Sequence, residues 1–165
     1  GDDLILKRMK RRHDRELAIE LVARMKARRP EIAIGADIIA GFPTETDAMF
    51  ANSIDLARQC QIVHGHIFPY SPKKGTPAAR MPAVAAQVIK ARAKALRDAV
   101  ATERADWLQS LVGSTQEIAV EHGGMAGHAE NFAYVRLDRQ MPEGSIVTTK
   151  VNKIEDGALQ AEIIA

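Results

Sequence analysis

The stretch DIIAGFPTET, residues 37–46, decides the fold. It completes a nearly uninterrupted apolar and β-branched run that begins at Ile32, and such a run is typical of a parallel-sheet strand buried on both faces. Gly41 and Pro43 break this strand before a predicted helix. Because ligands of parallel α/β folds bind where strands end in such loops, Gly41 and Glu45 are candidates to contact a ligand. The alternative is that Gly41 only turns the chain and Glu45 only complements the dipole of the following helix.

Outward from this loop, helix and strand patterns alternate. A helix is predicted over residues 46–60 and a second strand over 62–68, and this strand–helix–strand order indicates parallel strands and an α/β fold. Upstream, a short helix is predicted over 2–12, and a second helix starts near Asp14 and ends at Pro30. The spacing of its apolar residues predicts that the second helix buries Leu17, Leu21, Val22 and Met25.

The second half of the chain has a different pattern. Residues 83–111 contain no Gly or Pro and carry a helical apolar stripe, which predicts one long helix. After Gly113, turn residues separate the short alternating segments TQEIAVE, NFAYVRL, SIVTTKVNKIE and GALQAEI, and this pattern predicts a small antiparallel barrel. The predicted divisions are residues 1–82, a linking helix over 83–112, and a barrel over 113–165.

Composition indicates a globular chain, with 46% hydrophobic and 27% charged residues. No apolar run is long enough for a membrane span and no signal segment opens the sequence, so we expect a cytoplasmic protein without a membrane partner. The single cysteine, Cys60, excludes an internal disulfide and a multi-cysteine metal site, and a buried inert thiol is expected there. His64 and His66 share one face of the second strand. Without a recognisable third ligand, we interpret them as packed or hydrogen-bonded and predict no metal site.

Charge is distributed unevenly along the chain. Residues 1–30 hold ten Lys and Arg against five Asp and Glu, whereas residues 113–165 hold four basic and eight acidic residues. Basic clusters attract phosphate backbones, although most short basic runs are solvated helix faces. The cluster near the start of the chain consists of Lys7, Arg8, Lys10, Arg11 and Arg12.

The motifs together resemble one enzyme family. LKRMKRRH, DIIAGFPTET and FPYSPKKGTPAARM, in this order and at this spacing, resemble the radical-SAM methylthiotransferases, and more closely the branch that modifies threonylcarbamoyladenosine beside the tRNA anticodon. The tail from about Ser114 is similar to the TRAM domain that ends those enzymes. One departure is Lys73-Lys74, where family members often carry Arg-Pro.

This resemblance implies a fold and a set of binding residues. Residues 1–82 would be the C-terminal half of a partial, TIM-like β/α radical-SAM barrel, followed by the linking helix and a small all-β TRAM barrel. S-adenosyl-L-methionine (SAM) would bind at the loop residues Gly41, Phe42, Pro43 and Glu45. The tRNA would bind at Lys7, Arg8, Lys10, Arg11, Arg12, Arg136 and Lys150.

The resemblance also implies a reaction. The intact enzyme would use SAM and 4Fe-4S clusters to add a methylthio group to C2 of N6-threonylcarbamoyladenosine. The cysteine ligands of the clusters are absent from this sequence, so the missing N-terminal half is an expected partner, no catalytic residue is assigned, and this chain alone is expected to be inactive. The alternatives are a methylthiotransferase acting on another tRNA adenosine or on a ribosomal-protein side chain, and a non-catalytic RNA-binding module.

Overall fold

A computed structural model of the chain describes residues 1–121 and 123–165. They form two compact units, Gly1–Arg104 and Ala105–Ala165, which are described separately. The helices are α1 (Asp3–Arg8), α2 (Arg15–Arg28), α3 (Asp47–Gln59) and α4 (Ala86–Leu111), with a 3-10 turn at Ala78–Arg80. The strands are β1 (Ile34–Ala40), β2 (Ile62–Pro69), β3 (Thr115–Val120), β4 (Ala126–Ala129), β5 (Tyr134–Leu137), β6 (Ile146–Glu155) and β7 (Ala158–Ile163).

The first unit is built on a parallel strand pair. β1 and β2 pair from Ile34 opposite Ile62 to Ala40 opposite Pro69, and α3 connects them, so the predicted strand–helix–strand unit is confirmed. Thr46 caps α3 by accepting a hydrogen bond from the Met49 N–H at 3.3 Å. The core of this unit joins the two strands to α3 and α4 through Ile34, Ala40, Ala57, Cys60, Ile62, Ile67, Ala93, Leu96 and Val100.

The first helix is shorter than the predicted span of residues 2–12. Asp2 caps α1 by accepting from the N–H groups of Leu4 and Ile5, and the helix ends at Arg8. Lys10 follows with a φ of +57°. A residue in the left-handed region stops helical hydrogen bonding, which is why the helix does not continue into the rest of the basic run.

The predicted burial of α2 is wrong. Asp14 caps this helix as expected, but Leu17 and Leu21 are 50% and 52% exposed and Met25 is also exposed, while Val22 is half-buried. Helical spacing predicts that such residues share a face. The spacing does not indicate which surface would cover that face, and no part of the described chain covers it.

β1 is likewise less buried than its sequence predicts. Ala36 and Ile38 pack against the core that α3 and α4 share. Side chains alternate between the two faces of a strand, so Asp37 lies on the opposite face, where it is exposed. Within the described residues β1 pairs only with β2, and helices cover one face of this two-stranded sheet.

The second unit is a closed five-stranded barrel with the strand order β3-β4-β5-β7-β6. Its pairings are antiparallel except for β5 and β7, which run parallel, so the predicted antiparallel barrel is corrected at one seam. The sequence pattern does not predict β4, because its residues AGHA include no β-branched side chain. Gly127 in β4 lies so close to β3 that a Cβ atom there would be 2.0 Å from the Ala119 carbonyl oxygen.

The barrel core is filled by aliphatic side chains from the strands and from the end of α4. Trp107 packs against this core as a partly buried residue. The buried set consists of Leu108, Leu111, Ile118, Val120, Ala129, Ala133, Val135, Leu137, Val147, Val151, Leu159, Ala161 and Ile163. Among the helices of the described ranges, none has both the length and the apolar character that a membrane span requires.

Candidate functional site

The loop after β1 depends on a glycine for two separate reasons. Gly41 has a φ of +76°, a backbone conformation that residues other than glycine rarely adopt. A Cβ atom on Gly41 would also lie 2.6 Å from the Ile89 Cγ1 atom of α4, which is far inside van der Waals contact. Gly41 is therefore needed both to turn the chain and to let α4 approach the loop.

Glu45 closes this loop through buried hydrogen bonds. Its Oε2 atom accepts from the Gly41 N–H at 2.9 Å and from Arg92 Nη1 at 3.0 Å. The same Arg92 nitrogen donates to the Glu45 carbonyl oxygen at 2.9 Å, and Arg92 Nη2 donates to Asp47 Oδ1 at 2.6 Å. Burial raises the pKa of Glu45, and the Gly41 N–H and the Arg92 guanidinium oppose that rise. The carboxylate thus holds together the loop, the start of α3, and α4.

Phe42 and Pro43, which belong to the same loop, are buried. The Phe42 ring packs edge-on against Tyr70, with ring centroids 5.4 Å apart. Tyr70 follows β2, and its N–H donates to the Ala40 carbonyl oxygen at 2.8 Å. The Tyr70 hydroxyl is buried and has no hydrogen-bond partner in the part of the chain that the structure describes. A buried polar atom of this kind is uncommon and suits contact with a ligand.

Thr44 is the member of this loop that reaches the surface. It has a φ of +70°, its N–H donates to the Pro82 carbonyl oxygen at 3.0 Å, and its hydroxyl accepts a hydrogen bond from Arg8. The structure therefore places one residue of the basic cluster against the candidate ligand-binding loop. Arg8 is half-buried, and its contact with Thr44 makes it a support for the loop.

The other basic residues near the start of the chain are solvent-exposed. Lys7, Lys10, Arg11 and Arg12 take part in no ion pair within the described ranges. Exposed cations without acidic partners can neutralise phosphates directly. Their arrangement is compatible with the predicted tRNA contact.

The cations of the barrel have acidic neighbours. Arg136 lies 3.7 Å from Asp156, and Lys153 lies 3.3 Å from Glu155. Lys150 is half-buried on β6, in register with Glu162 on β7. The two predicted RNA contacts in the barrel, Arg136 and Lys150, thus stand in locally acidic surroundings.

His64, His66 and Cys60, the residues of the first unit considered as metal ligands, show no metal-site geometry within the described residues. His64 Nδ1 lies 3.0 Å from Arg104 Nη1, a hydrogen bond that depends on the imidazole tautomer. Cys60 is 3% exposed, and burial raises its pKa. No group of three or more His, Cys, Asp or Glu side chains within residues 1–121 and 123–165 is placed to hold a metal ion.

Arg92 holds Glu45 in place, but it is not among the functional residues predicted from the sequence. Arg92 lies four residues after Val88 and four before Leu96, so it is on the same face of α4 as the apolar stripe. A lone arginine within a buried stripe needs an acidic partner. That spacing could have identified Arg92 as a buried residue, but it could not have identified Glu45 as its partner.

Sequence similarity relates the chain to enzymes that modify tRNA. Over 164 residues, 99% of this chain and 39% of the relative, it is 43% identical to the threonylcarbamoyladenosine tRNA methylthiotransferase of Rickettsia prowazekii. It is also 35% identical to the tRNA-2-methylthio-N(6)-dimethylallyladenosine synthase of Bacillus velezensis, across 99% of this chain and 35% of that protein. The equivalent enzyme of Agrobacterium fabrum is 32% identical, with 99% and 37% covered.

The resemblance to tRNA methylthiotransferases predicted from the motifs is therefore confirmed along nearly the whole chain. The chain spans less than two fifths of the length of these relatives. No protein-family model matches it.

Proposed function

We propose that this chain is the C-terminal part of a tRNA methylthiotransferase that acts on N6-threonylcarbamoyladenosine. The observation that carries the proposal is the 43% identity to an enzyme named for that substrate, over 99% of the chain. The reaction would add a methylthio group to C2 of the adenine, with SAM as cofactor and tRNA as substrate. The closed barrel of the second unit would be the TRAM domain.

Residues 1–82 would contribute two strands and their helices to a partial β/α barrel. Two observations support this part of the proposal. Within the described residues, β1 pairs on one side only, and Leu17, Leu21 and Met25 of α2 are exposed. A cavity of about 540 Å³ lies between them, lined by Leu17, Leu21, Val22 and Ile38 among others. Further strands of the intact enzyme would cover this surface.

The loop at Gly41, Phe42, Pro43 and Glu45 would form part of the SAM site. The fit rests on the close backbone approach that Gly41 permits and on the unpartnered Tyr70 hydroxyl beside Phe42. Glu45 would shape the loop through Gly41 and Arg92, whereas Thr44 is the side chain at its surface. Bound there, SAM would supply a 5′-deoxyadenosyl group for hydrogen abstraction and the methyl group of the product.

The residues of this chain do not fit an iron–sulfur cluster. Three thiolates are needed to bind a cluster, and Cys60 is one buried thiol within the core of the first unit. The cluster ligands of the intact enzyme would therefore lie outside this sequence.

The predicted RNA contacts would be contributed mainly by the basic cluster near the start of the chain. Lys7, Lys10, Arg11 and Arg12 are exposed, and Arg8 supports the neighbouring loop at Thr44. Arg136 and Lys150 would add weaker contacts, because Arg136 lies 3.7 Å from Asp156 and Lys150 is in register with Glu162.

Nucleoside analysis tests this function directly. The intact enzyme that contains this chain would be expressed in cells that lack their own threonylcarbamoyladenosine methylthiotransferase, and digested tRNA would be examined by mass spectrometry. We expect the 2-methylthio derivative of threonylcarbamoyladenosine to appear. A methylthio group on dimethylallyladenosine instead would support the second candidate, which the relatives from Bacillus and Agrobacterium favour. A methylthio group only on a ribosomal protein, or none at all, would overturn the proposal.

A further inference from the structure

The longest stretch of sequence without an acidic residue lies outside the N-terminal basic cluster and is rich in Lys and Arg. Residues 56–97 contain eight Lys and Arg and no Asp or Glu. Within this stretch, Arg92 is buried against Glu45 and Asp47, and Lys94 pairs with Asp98. The remaining members include three cations on one loop, Lys73, Lys74 and Arg80.

We define the basic loop as residues 71–81. It holds three cations and no acid, and all three are exposed. No ion pair involves them in the described residues. Their charge is therefore available to an anionic partner.

The basic loop is held in a defined conformation. Inside it, the Thr76 hydroxyl donates to the Lys73 carbonyl oxygen at 2.8 Å and accepts from the Ala79 N–H at 3.3 Å. A 3-10 turn at Ala78–Arg80 follows. Ordering of this kind lowers the conformational entropy that a binding partner must remove.

Backbone hydrogen bonds on either side of the basic loop connect it to the end of β1 and to the candidate SAM-binding loop. Immediately before it, the Tyr70 N–H donates to the Ala40 carbonyl oxygen at 2.8 Å. Immediately after it, the Pro82 carbonyl oxygen accepts from the Thr44 N–H at 3.0 Å. The three cations are thus tethered at the carboxyl end of the parallel strands, where ligands of such sheets bind.

We propose that the basic loop binds the phosphate backbone of the RNA substrate through Lys73, Lys74 and Arg80. This inference rests on the proposed function, because the tRNA substrate is what identifies the polyanion as RNA. Cations beside the ligand-binding end of the sheet would hold the backbone while the target base enters. A backbone contact of this kind carries no base specificity.

The test compares two triple variants of the 165-residue chain in tRNA binding across a salt series. One variant is Lys73→Ala, Lys74→Ala, Arg80→Ala. The other removes equal charge from exposed positions on α2 and α3, as Arg24→Ala, Arg28→Ala, Arg58→Ala. We expect the loop variant to flatten the plot of log affinity against log salt by about two to three units, at roughly 0.7–0.9 per phosphate contact. The control variant should keep the slope of the unaltered chain.

A third variant, Lys73→Arg, Lys74→Arg, retains the charge and should keep the original slope, which separates charge loss from damage to the loop. An unchanged slope in the loop variant, or an equal change in the control, would overturn the inference and leave the proposed function standing. Absence of salt-dependent tRNA binding by the unaltered chain would also overturn the inference, whereas the nucleoside analysis of the intact enzyme decides the proposed function separately. Far-UV circular dichroism checks that each variant retains its helices.

Discussion

Arg92 Nη1 lies 3.0 Å from Glu45 Oε2, and the two side chains are 7% and 2% exposed. The pair joins α4 to the loop between β1 and α3, across 47 positions of sequence. The Arg92 guanidinium also lies over the Phe50 ring, 5.4 Å from its centroid. A single arginine therefore connects the candidate ligand-binding loop, α3 and α4.

Replacing Arg92 should destabilise the first unit substantially. Arg92→Met leaves the buried Glu45 carboxylate without its cationic partner, and removing one member of a buried pair typically costs about 3–5 kcal/mol. The free energy of unfolding would be measured by urea titration with far-UV circular dichroism. Lys94→Ala is the matched control, because its pair with Asp98 is exposed and such pairs contribute about 0–1 kcal/mol. Equal losses in the two variants would show that the Arg92–Glu45 pair is not a buried structural contact.

The decrease in the free energy of unfolding caused by Arg92→Met should become larger as pH rises. Burial already raises the pKa of Glu45, and Arg92 opposes that rise, so removing Arg92 raises the pKa further. A carboxyl group whose folded-state pKa lies above its unfolded value contributes stability below the unfolded pKa and loses it as pH rises through the folded pKa. The unfolding free energy of Arg92→Met should therefore fall, relative to the unaltered chain, as pH rises from about 4 towards 7.

The double variant Glu45→Gln, Arg92→Met is the control for this titration. Glutamine cannot ionise, so the additional pH dependence should disappear from the double variant. If it persists, another group is responsible and Glu45 is not the titrating residue.

Gly41→Ala should be more damaging than an equivalent change at another positive-φ glycine. Alanine at a φ of +76° is strained by roughly 1–2 kcal/mol, and overlap with Ile89 adds about 1–3 kcal/mol. Gly75→Ala is the control, because its φ is +87° but nothing lies within 4 Å of the added Cβ. Ile89→Ala in the Gly41→Ala background should recover part of the loss in thermal unfolding. Equal effects of the two glycine substitutions would mean that the contact with Ile89 is unimportant.

Local features of the fold follow from local sequence patterns, whereas burial does not. The β-branched run before Gly41 and the cap at Asp14 predicted their strand and helix, because both depend on neighbouring residues. The exposure of Leu17 and Leu21 depends on surfaces far away in sequence, which helical spacing does not describe. The burial of Glu45 could not be predicted for the same reason, because its partner Arg92 lies 47 positions later, on α4.

In the candidate site, the position of the loop could be predicted from the sequence, but not which of its side chains are buried and which reach the surface. An exposed Glu45 beside a helix start would contribute only about 0.3–1 kcal/mol. The structure instead shows its carboxylate buried against Gly41 and Arg92, with Thr44 at the surface. The net charge of residues 31–165 is negative and therefore does not indicate the basic loop. All acidic residues of that range lie outside residues 56–97.

The purified 165-residue chain should bind no iron–sulfur cluster and cleave no SAM. A cluster needs three thiolates, and the chain contains one cysteine, which is buried. Anaerobic incubation with iron and sulfide, followed by iron and sulfide analysis, measures this. The intact enzyme treated in parallel serves as the control. A stoichiometric four-iron cluster in the chain would contradict the prediction.

The basic cluster near the start of the chain should contribute more to tRNA affinity than the barrel does. Lys7, Lys10 and Arg11 are exposed and unpaired within the described residues, so each can release counterions from a phosphate. Replacing all three with alanine in the intact enzyme should flatten the salt dependence of binding by about two to three units, at roughly 0.7–0.9 per contact.

The barrel provides the comparison, because its cations stand beside acids. Arg136, Arg139 and Lys153 each have an acidic partner within 4 Å, and neutralising them removes fewer phosphate contacts than their number implies. We therefore expect the variant with Arg136, Arg139, Lys150 and Lys153 replaced by alanine to change the salt slope by less than the variant with Lys7, Lys10 and Arg11 replaced. Exposed Phe132 could still stack on a base, a contribution that depends little on salt and would persist in the barrel variant. If the barrel variant abolishes binding while the Lys7, Lys10 and Arg11 variant keeps the original salt slope, the barrel is the main RNA anchor and the prediction is wrong.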